Sequence, residues 1–257
     1  MRPSRWLAEG LLVIVLSCVS GSVFAQSCSR DSSLETQWSR LTRDRGAQVS
    51  DALRRIADLD RRLLALRSYL RNEQSLGERW SWSQAQIEMY RQSAEYQELL
   101  GEIEKIRSRF ERDNPGYQLY ANTDVRSLDR QIQRWNENQG VAKVAAALGR
   151  ELCTRFDGRP PELTPETLRA ALIEWQPPVP APLAAPGLSL HGRARAIDFQ
   201  VHRGRTVIAG PEVAKIADTW EAQGWSQKLH AAVMAVSARF KGPLKAPHEP
   251  WHYEYQP

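Results

Sequence analysis

Cysteine is scarce in this chain, with three in 257 residues: Cys18, Cys28 and Cys153. None has a second cysteine or a histidine beside it at metal-ligand spacing, which excludes a cysteine-built structural zinc site. An excess of one charge is also missing. Thirty-five basic side chains face thirty acidic ones, a formal net charge of +5. The two signs are interleaved, so no concentrated positive field is expected and nucleic acid is not a predicted partner. No apolar run approaches the roughly 20 residues that a membrane span needs. The longest near the start is Leu11 to Val19. No internal repeat is visible beyond the two apolar seams described below.

What is present begins with an export signal. Arg2 and Arg5 precede the short apolar run, and Val23-Phe24-Ala25 fits the small-residue cleavage rule. Residues 1–25 therefore read as a signal peptide with Gln26 as the new N-terminus, and the mature protein as exported, into a periplasm, with no stable membrane span. An uncleaved anchor is the alternative. Lipoprotein processing at Cys18 ranks below simple cleavage, because Leu16 is a poor residue at that position. Cleavage leaves Cys28 and Cys153. In an oxidising compartment they can pair, or they can be two unrelated thiols.

Residues 26–112 are helical in character. Ser32-x-x-Glu35 is a capping-box signal. Val49, Ile56, Leu59, Leu63, Leu66 and Leu70 form one apolar seam, and Met89, Tyr96, Leu99, Ile103, Ile106 and Phe110 form a second. A break at Asn72 to Gly77 separates them. Two such segments predict an antiparallel α-hairpin of coiled-coil type. Trp80 and Trp82 lie near its tip, and packing at a helix start is preferred over docking as their role.

Asp113-Asn114-Pro115-Gly116 marks the boundary of a second unit, 113–257. Tyr117 to Asn122 reads as a strand, Leu128 to Arg155 as one helix, and Thr164-Pro165-Glu166 as the start of another that ends near Trp175. Five prolines between Pro177 and Pro186 make an extended excursion inside this unit. Leu188 to Val201 reads as loop plus strand, returning through Arg203-Gly204 into Thr206-Val207-Ile208. Gly210-Pro211-Glu212 opens a helix to about Gln223. Leu229 to Phe240 is a helix or a buried strand. The closing strand carries Trp251 and His252. The fold class expected is α+β: a small antiparallel sheet with flanking helices, preceded by the α-hairpin.

The chain has five histidines. His202 and His230 read as structural or exposed. His248-Glu249-Pro250-Trp251-His252 matches H-E-x-x-H, but that zinc motif needs a helix, and Pro250 in its middle would cost about 3 kcal/mol. With five residues after His252, further ligands are sought upstream. Ser189-Leu190-His191-Gly192-Arg193-Ala194-Arg195-Ala196-Ile197-Asp198 supplies a histidine and an aspartate with six residues between them. Two imidazoles and a carboxylate make the three-ligand set of an open catalytic metal site.

S-x-H-x-x-G-x-A-x-D followed by E-P-W-H resembles the VanY-like D-alanyl-D-alanine carboxypeptidase group of zinc peptidases. The resemblance implies Zn2+ on His191, Asp198 and His252, with Glu249 as the base and His248 no closer than a neighbour of it. It also implies an arginine ahead of the first histidine, in a segment like G-Y-R-S-x-x-x-Q. Val125-Arg126-Ser127-Leu128-Asp129-Arg130-Gln131 supplies one. Arg126 would steady the scissile carbonyl. Gln131 and Ser127 would border the cleft, Ser189 would orient the His191 loop, and Trp251 would adjoin the site. The sequence departs from the family at Ala194, where the family has glycine, and at Asp124-Val125. A methyl group at position 194 is expected to be tolerated only with negative φ. The implied activity is hydrolysis of peptidoglycan stem peptides, with the α-hairpin as an arm for a protein partner. The alternative is an inactive wall-binding or hydrolase-activating module.

Overall fold

The computed structural model describes residues 32–157 and 161–257. The expected signal peptide, Cys18 and Cys28 lie outside them. The chain runs α1 (Ser32–Thr42), α2 (Ala47–Arg55), α3 (Leu59–Arg71), α4 (Leu76–Arg79), α5 (Gln84–Arg91), α6 (Ala94–Asp113), β1 (Gln118–Asn122), α7 (Leu128–Glu137), α8 (Gln139–Arg155), α9 (Pro165–Glu174), β2 (Ala196–Arg203), β3 (Thr206–Ala209), α10 (Trp225–Val236), β4 (Phe240–Lys241) and β5 (His252–Tyr255). It is a mixed fold of helices and one small antiparallel sheet, as expected. Among the described residues, no helix is long and apolar enough to cross a membrane.

Side-chain caps fix most of the helix starts. Asp58, Ser83, Ser93, Ser127, Asn138 and Thr164 each accept a bond from a first-turn N–H. Asn138 also divides the single helix expected over 128–155. Its own N–H closes α7 on the Arg134 carbonyl, while its side chain accepts the Val141 N–H and opens α8. The helix expected from Gly210 is instead a short 3-10 turn, Val213–Lys215, followed by a π-helical turn, Ile216–Glu221. There the buried Trp220 indole donates to the Gly210 carbonyl at 2.8 Å. Of the segment left open, Leu229 to Val236 is helix and Phe240 opens β4.

The antiparallel α-hairpin does not form. The first seam is buried as expected, with Ile56, Leu63 and Leu66 fully out of water, but against α8 and α9 rather than the second seam. The second seam packs on the sheet and α10. Met89, assigned to that seam, is 66 % exposed. Each seam is thus part of a different core. The first core joins α2 and α3 to α7, α8, α9 and the end of the proline-rich strap. The second joins α5, α6 and α10 to the sheet. The seams carry apolar periodicity but nothing that selects one partner face over another, and the larger apolar faces downstream won.

Trp80-Ser81-Trp82 crosses from one core to the other. Trp80 packs in the first core and meets Tyr69 at 5.6 Å; Trp82 packs against the second and meets Tyr90 at 4.7 Å. Both tryptophans are packing residues.

In the sheet, β2 is central. One edge pairs with β1 over Asp198 to His202. The other edge is shared: β5 takes Ala196 to Asp198, and β3 takes the far end beyond a bulge at Val201/His202. β4 pairs with β5. The outer edge of β1 is blunted by α6, where Arg107 donates to the Leu119 carbonyl and Glu111 accepts the Leu119 N–H. Ile197, Phe199 and Val201 face the second core, so Asp198 and Gln200 face the other way. Tyr253 and Tyr255 do the same for His252 and Glu254.

Deleting residues 32–112 removes eleven of the 23 buried residues of the first core and six of the 22 of the second, so the remainder is expected to be insoluble or to lack a cooperative thermal transition. A soluble 113–257 fragment with a sharp melt by circular dichroism would restore the detachable-arm reading.

Candidate metal centre

The sheet register builds the site. Asp198 and His252 are directly opposed in the β2–β5 pair, on the face away from the core. Cross-strand partners on one face bring their side chains together. His252 Nδ1 lies 3.0 Å from Asp198 Oδ1. A slip of one residue in either strand would turn one of them into the core. The stretch around Glu249 is turn and isolated bridge, not helix, so the two imidazoles do not share a helical face.

His191 arrives from the other side, on a 3-10 turn, Leu190–Arg193, just ahead of β2. Its Nε2 is 3.5 Å from Asp198 Oδ2, and its ring meets that of His252 edge-on at 5.0 Å. The turn ends on Ala194, at φ +52 in the left-handed region. The condition expected for a methyl group at this position, a negative φ, is not met. The position has the conformation that favours glycine, and alanine holds it at a cost of about 1–2 kcal/mol. Burial of its methyl in the second core compensates in part.

Several backbone bonds hold this turn in place. Trp82 N–H donates to the Gly192 carbonyl, Arg126 N–H to the His191 carbonyl, and Ser81 N–H to the Gly187 carbonyl. The approach is close: a Cβ on Gly192 would stand 2.1 Å from Ser81 Oγ and 2.5 Å from Gln131 Nε2. Gln131 is buried and spent on this scaffold. It donates to Ser81 Oγ and the Arg126 carbonyl and accepts the Gly187 N–H. Ser127 caps α7. The Ser189 carbonyl accepts from Gly192 N–H and Ser81 Oγ. Trp251 is core, 6.1 Å from Trp220, and its carbonyl holds the Phe199 N–H. The motif spacing gave no signal for Ser81 and Trp82, whose role is visible only in the fold. Arg126, Gln131 and Ser189 line one small pocket with Arg134, which sequence reasoning also missed.

Glu249 Oε2 stands 3.8 Å from His252 Nδ1. His248 points elsewhere, to Glu221 at 3.1 Å. Among the described residues, the Arg126 guanidinium makes no side-chain hydrogen bond or salt bridge. Burial lowers its pKa, while the charge of Asp198 opposes that shift.

The electrostatics suit metal binding. Burial drives the His191 imidazole down to about 3, so it is neutral with a free lone pair at physiological pH. Burial would raise Asp198, but its bond to His252 and the nearby positive charge of Arg126 help hold it below the usual carboxylate range. Burial raises Glu249, with His252 and Arg126 opposing.

One donor atom from each of His191, Asp198 and His252 lies within 4.8 Å of the others. Ligands on a tetrahedron with bonds of about 2.1 Å stand about 3.4 Å apart. The two imidazoles approach different oxygens of Asp198, at 3.5 Å to Oδ2 and 3.0 Å to Oδ1, and two nitrogens with a carboxylate is a donor set that zinc accepts. The three residues can therefore hold a divalent ion. Comparison with known proteins finds no matching family model, curated protein or solved structure.

The metal-free protein has a defined pH response. His191 binds its proton near 6.5 when unfolded and near 3 when folded. Between those values the unfolded state takes up more protons, so stability is expected to fall as pH drops from about 6.5 toward 3. Urea melts of chelator-treated protein check this. A midpoint that stays level from pH 6.5 to 4 would contradict a buried neutral His191.

Proposed function

We propose that the protein is a zinc-dependent peptidoglycan peptidase of the D,D-carboxypeptidase or endopeptidase type, acting on stem peptides of the bacterial cell wall after export. The observation that carries the reading is the convergence of His191, Asp198 and His252, with Glu249 3.8 Å from His252 and the Arg126 charge felt by both carboxylates. The motif resemblance supplies the substrate class.

A zinc ion held by His191, Asp198 and His252 would supply Lewis acidity, acidifying water and polarising a peptide carbonyl. The chain's own groups do the rest. Glu249, partly withdrawn from water, takes the proton of the attacking water and passes it to the leaving amine. Its raised pKa brings it closer to the neutral working range, which favours both transfers. Arg126 holds a positive charge without a carboxylate of its own, available to the carbonyl oxygen as that atom gains negative charge. Asp198 offsets part of the ion's charge. The buried scaffold of Ser81, Gln131 and Gly192 fixes the His191 turn, so the ligands are ordered before a substrate arrives.

The inactive-module alternative has no use for a half-buried carboxylate of raised pKa beside the triad. The protein partner expected through the α-hairpin loses its surface, since both seams are consumed in the cores.

Glu249→Ala is expected to keep a full complement of zinc and to lose about 10²–10⁴-fold in turnover of defined muropeptides. His191→Ala is expected to lose both zinc and activity. Mass spectrometry of the digests and metal analysis of the purified proteins read the two effects. Full zinc in the His191 variant would overturn the ligand assignment. No cleavage by zinc-loaded wild type would overturn the enzymatic reading.

A further inference from the structure

A second cleft, of about 300 Å³, lies between α3, the Arg79 turn, α7 and α8, and the proline-rich strap. Its walls are mixed, with an apolar part from Leu64, Val144, Pro177, Pro180 and Leu183. Two arginines, Arg67 and Arg79, line it, and no carboxylate does.

Arg67 is 9 % exposed. A cation that deep is normally paired with an acid, because desolvation otherwise leaves its charge uncompensated. Its partner here is neutral: Nε and Nη2 both donate to the Trp175 carbonyl, at 3.1 and 2.7 Å, and the guanidinium lies 5.4 Å from the Trp175 ring centre. Burial and the like charge of Arg71 both disfavour its protonated form. Arg79 makes one long bond, Nη2 to the Leu188 carbonyl at 3.4 Å, and its buried Nε has no partner among the described residues. Neither arginine forms a salt bridge with any described residue. The other polar side chains on the wall are spent locally, Ser68 on Leu64 and Asn72 on Ser68.

We propose that this cleft binds a small carboxylic acid with an apolar body, the carboxylate on Arg67 and Arg79 and the body against the strap. The charge argument selects an anion, because two guanidiniums share the cleft and no carboxylate lines it. The walls select an apolar portion, which an inorganic ion lacks. Leu183 and Ala184 border both this cleft and the small pocket beside Arg126 and Ser189, so the ligand would touch the segment leading to the His191 turn.

The probe is hexanoate, titrated by calorimetry into the intact chain, with or without zinc, so the outcome does not depend on the peptidase reading. Saturable binding is expected, with hexanol and inorganic phosphate each about tenfold weaker or worse. Arg79→Gln is expected to weaken hexanoate by about tenfold or more. Leu183→Trp, which fills the apolar end, should abolish it. Circular dichroism verifies that each variant is folded. No saturable binding by wild type, hexanol or phosphate binding as well as hexanoate, or undiminished binding by either folded variant overturns the proposal.

Discussion

Ionisable side chains withdrawn from water at the seam between two hydrophobic cores set the conditions for everything else at the site. His191, Asp198 and His252 are held close together, where burial penalises every charge. Such a cluster persists only if its members satisfy one another, as the Asp198–His252 hydrogen bond does, or share an ion. The same burial keeps His191 neutral and raises Glu249, while the bond to His252 and nearby charge hold Asp198 down. Two carboxylates of like chemistry are thus pushed in opposite directions within a few ångströms.

The geometry is carried by backbone more than by the functional side chains. Strand pairing places Asp198 against His252, and the two core-facing rows, Ile197-Phe199-Val201 and Tyr253-Tyr255, lock that register. The His191 turn has no strand of its own. It is pinned by Ser81, Trp82, Arg126 and Gln131, residues drawn from both sides of the junction. Leu188 belongs to the first core and Ala194 to the second, so the turn between them is stretched across the junction. This explains why the segment expected to form a detachable arm is instead structural. Its first half completes one core, its second half completes the other, and the link between them forms the floor under His191.

Cys153 is disulfide-bonded, and Cys28, the partner that the sequence left open, lies outside the described residues. The proline-rich strap serves both sides of the junction. Its end packs in the first core, and its middle separates a cationic cleft from the pocket beside Arg126. A rigid, extended segment suits that position, since proline has little conformational freedom to lose on folding.

By itself the sequence determined what is local. Alternation in Ile197 to Val201 reads as a strand with Asp198 turned outward; Thr164-Pro165 reads as a helix start; Pro250 rules out a helical zinc motif. The donor types at 191, 198 and 252 were legible because the chemistry of a site is written in residue identity. Tertiary structure decided what is not local. An apolar seam specifies that a face will be buried but not against which partner, so the α-hairpin gave way to two cores. A side-chain amide does not announce its partners, so Gln131 became a buried brace. Residue order likewise says nothing of the approach between Gly192 and Ser81, 111 positions apart, which exists only once both cores have closed around them.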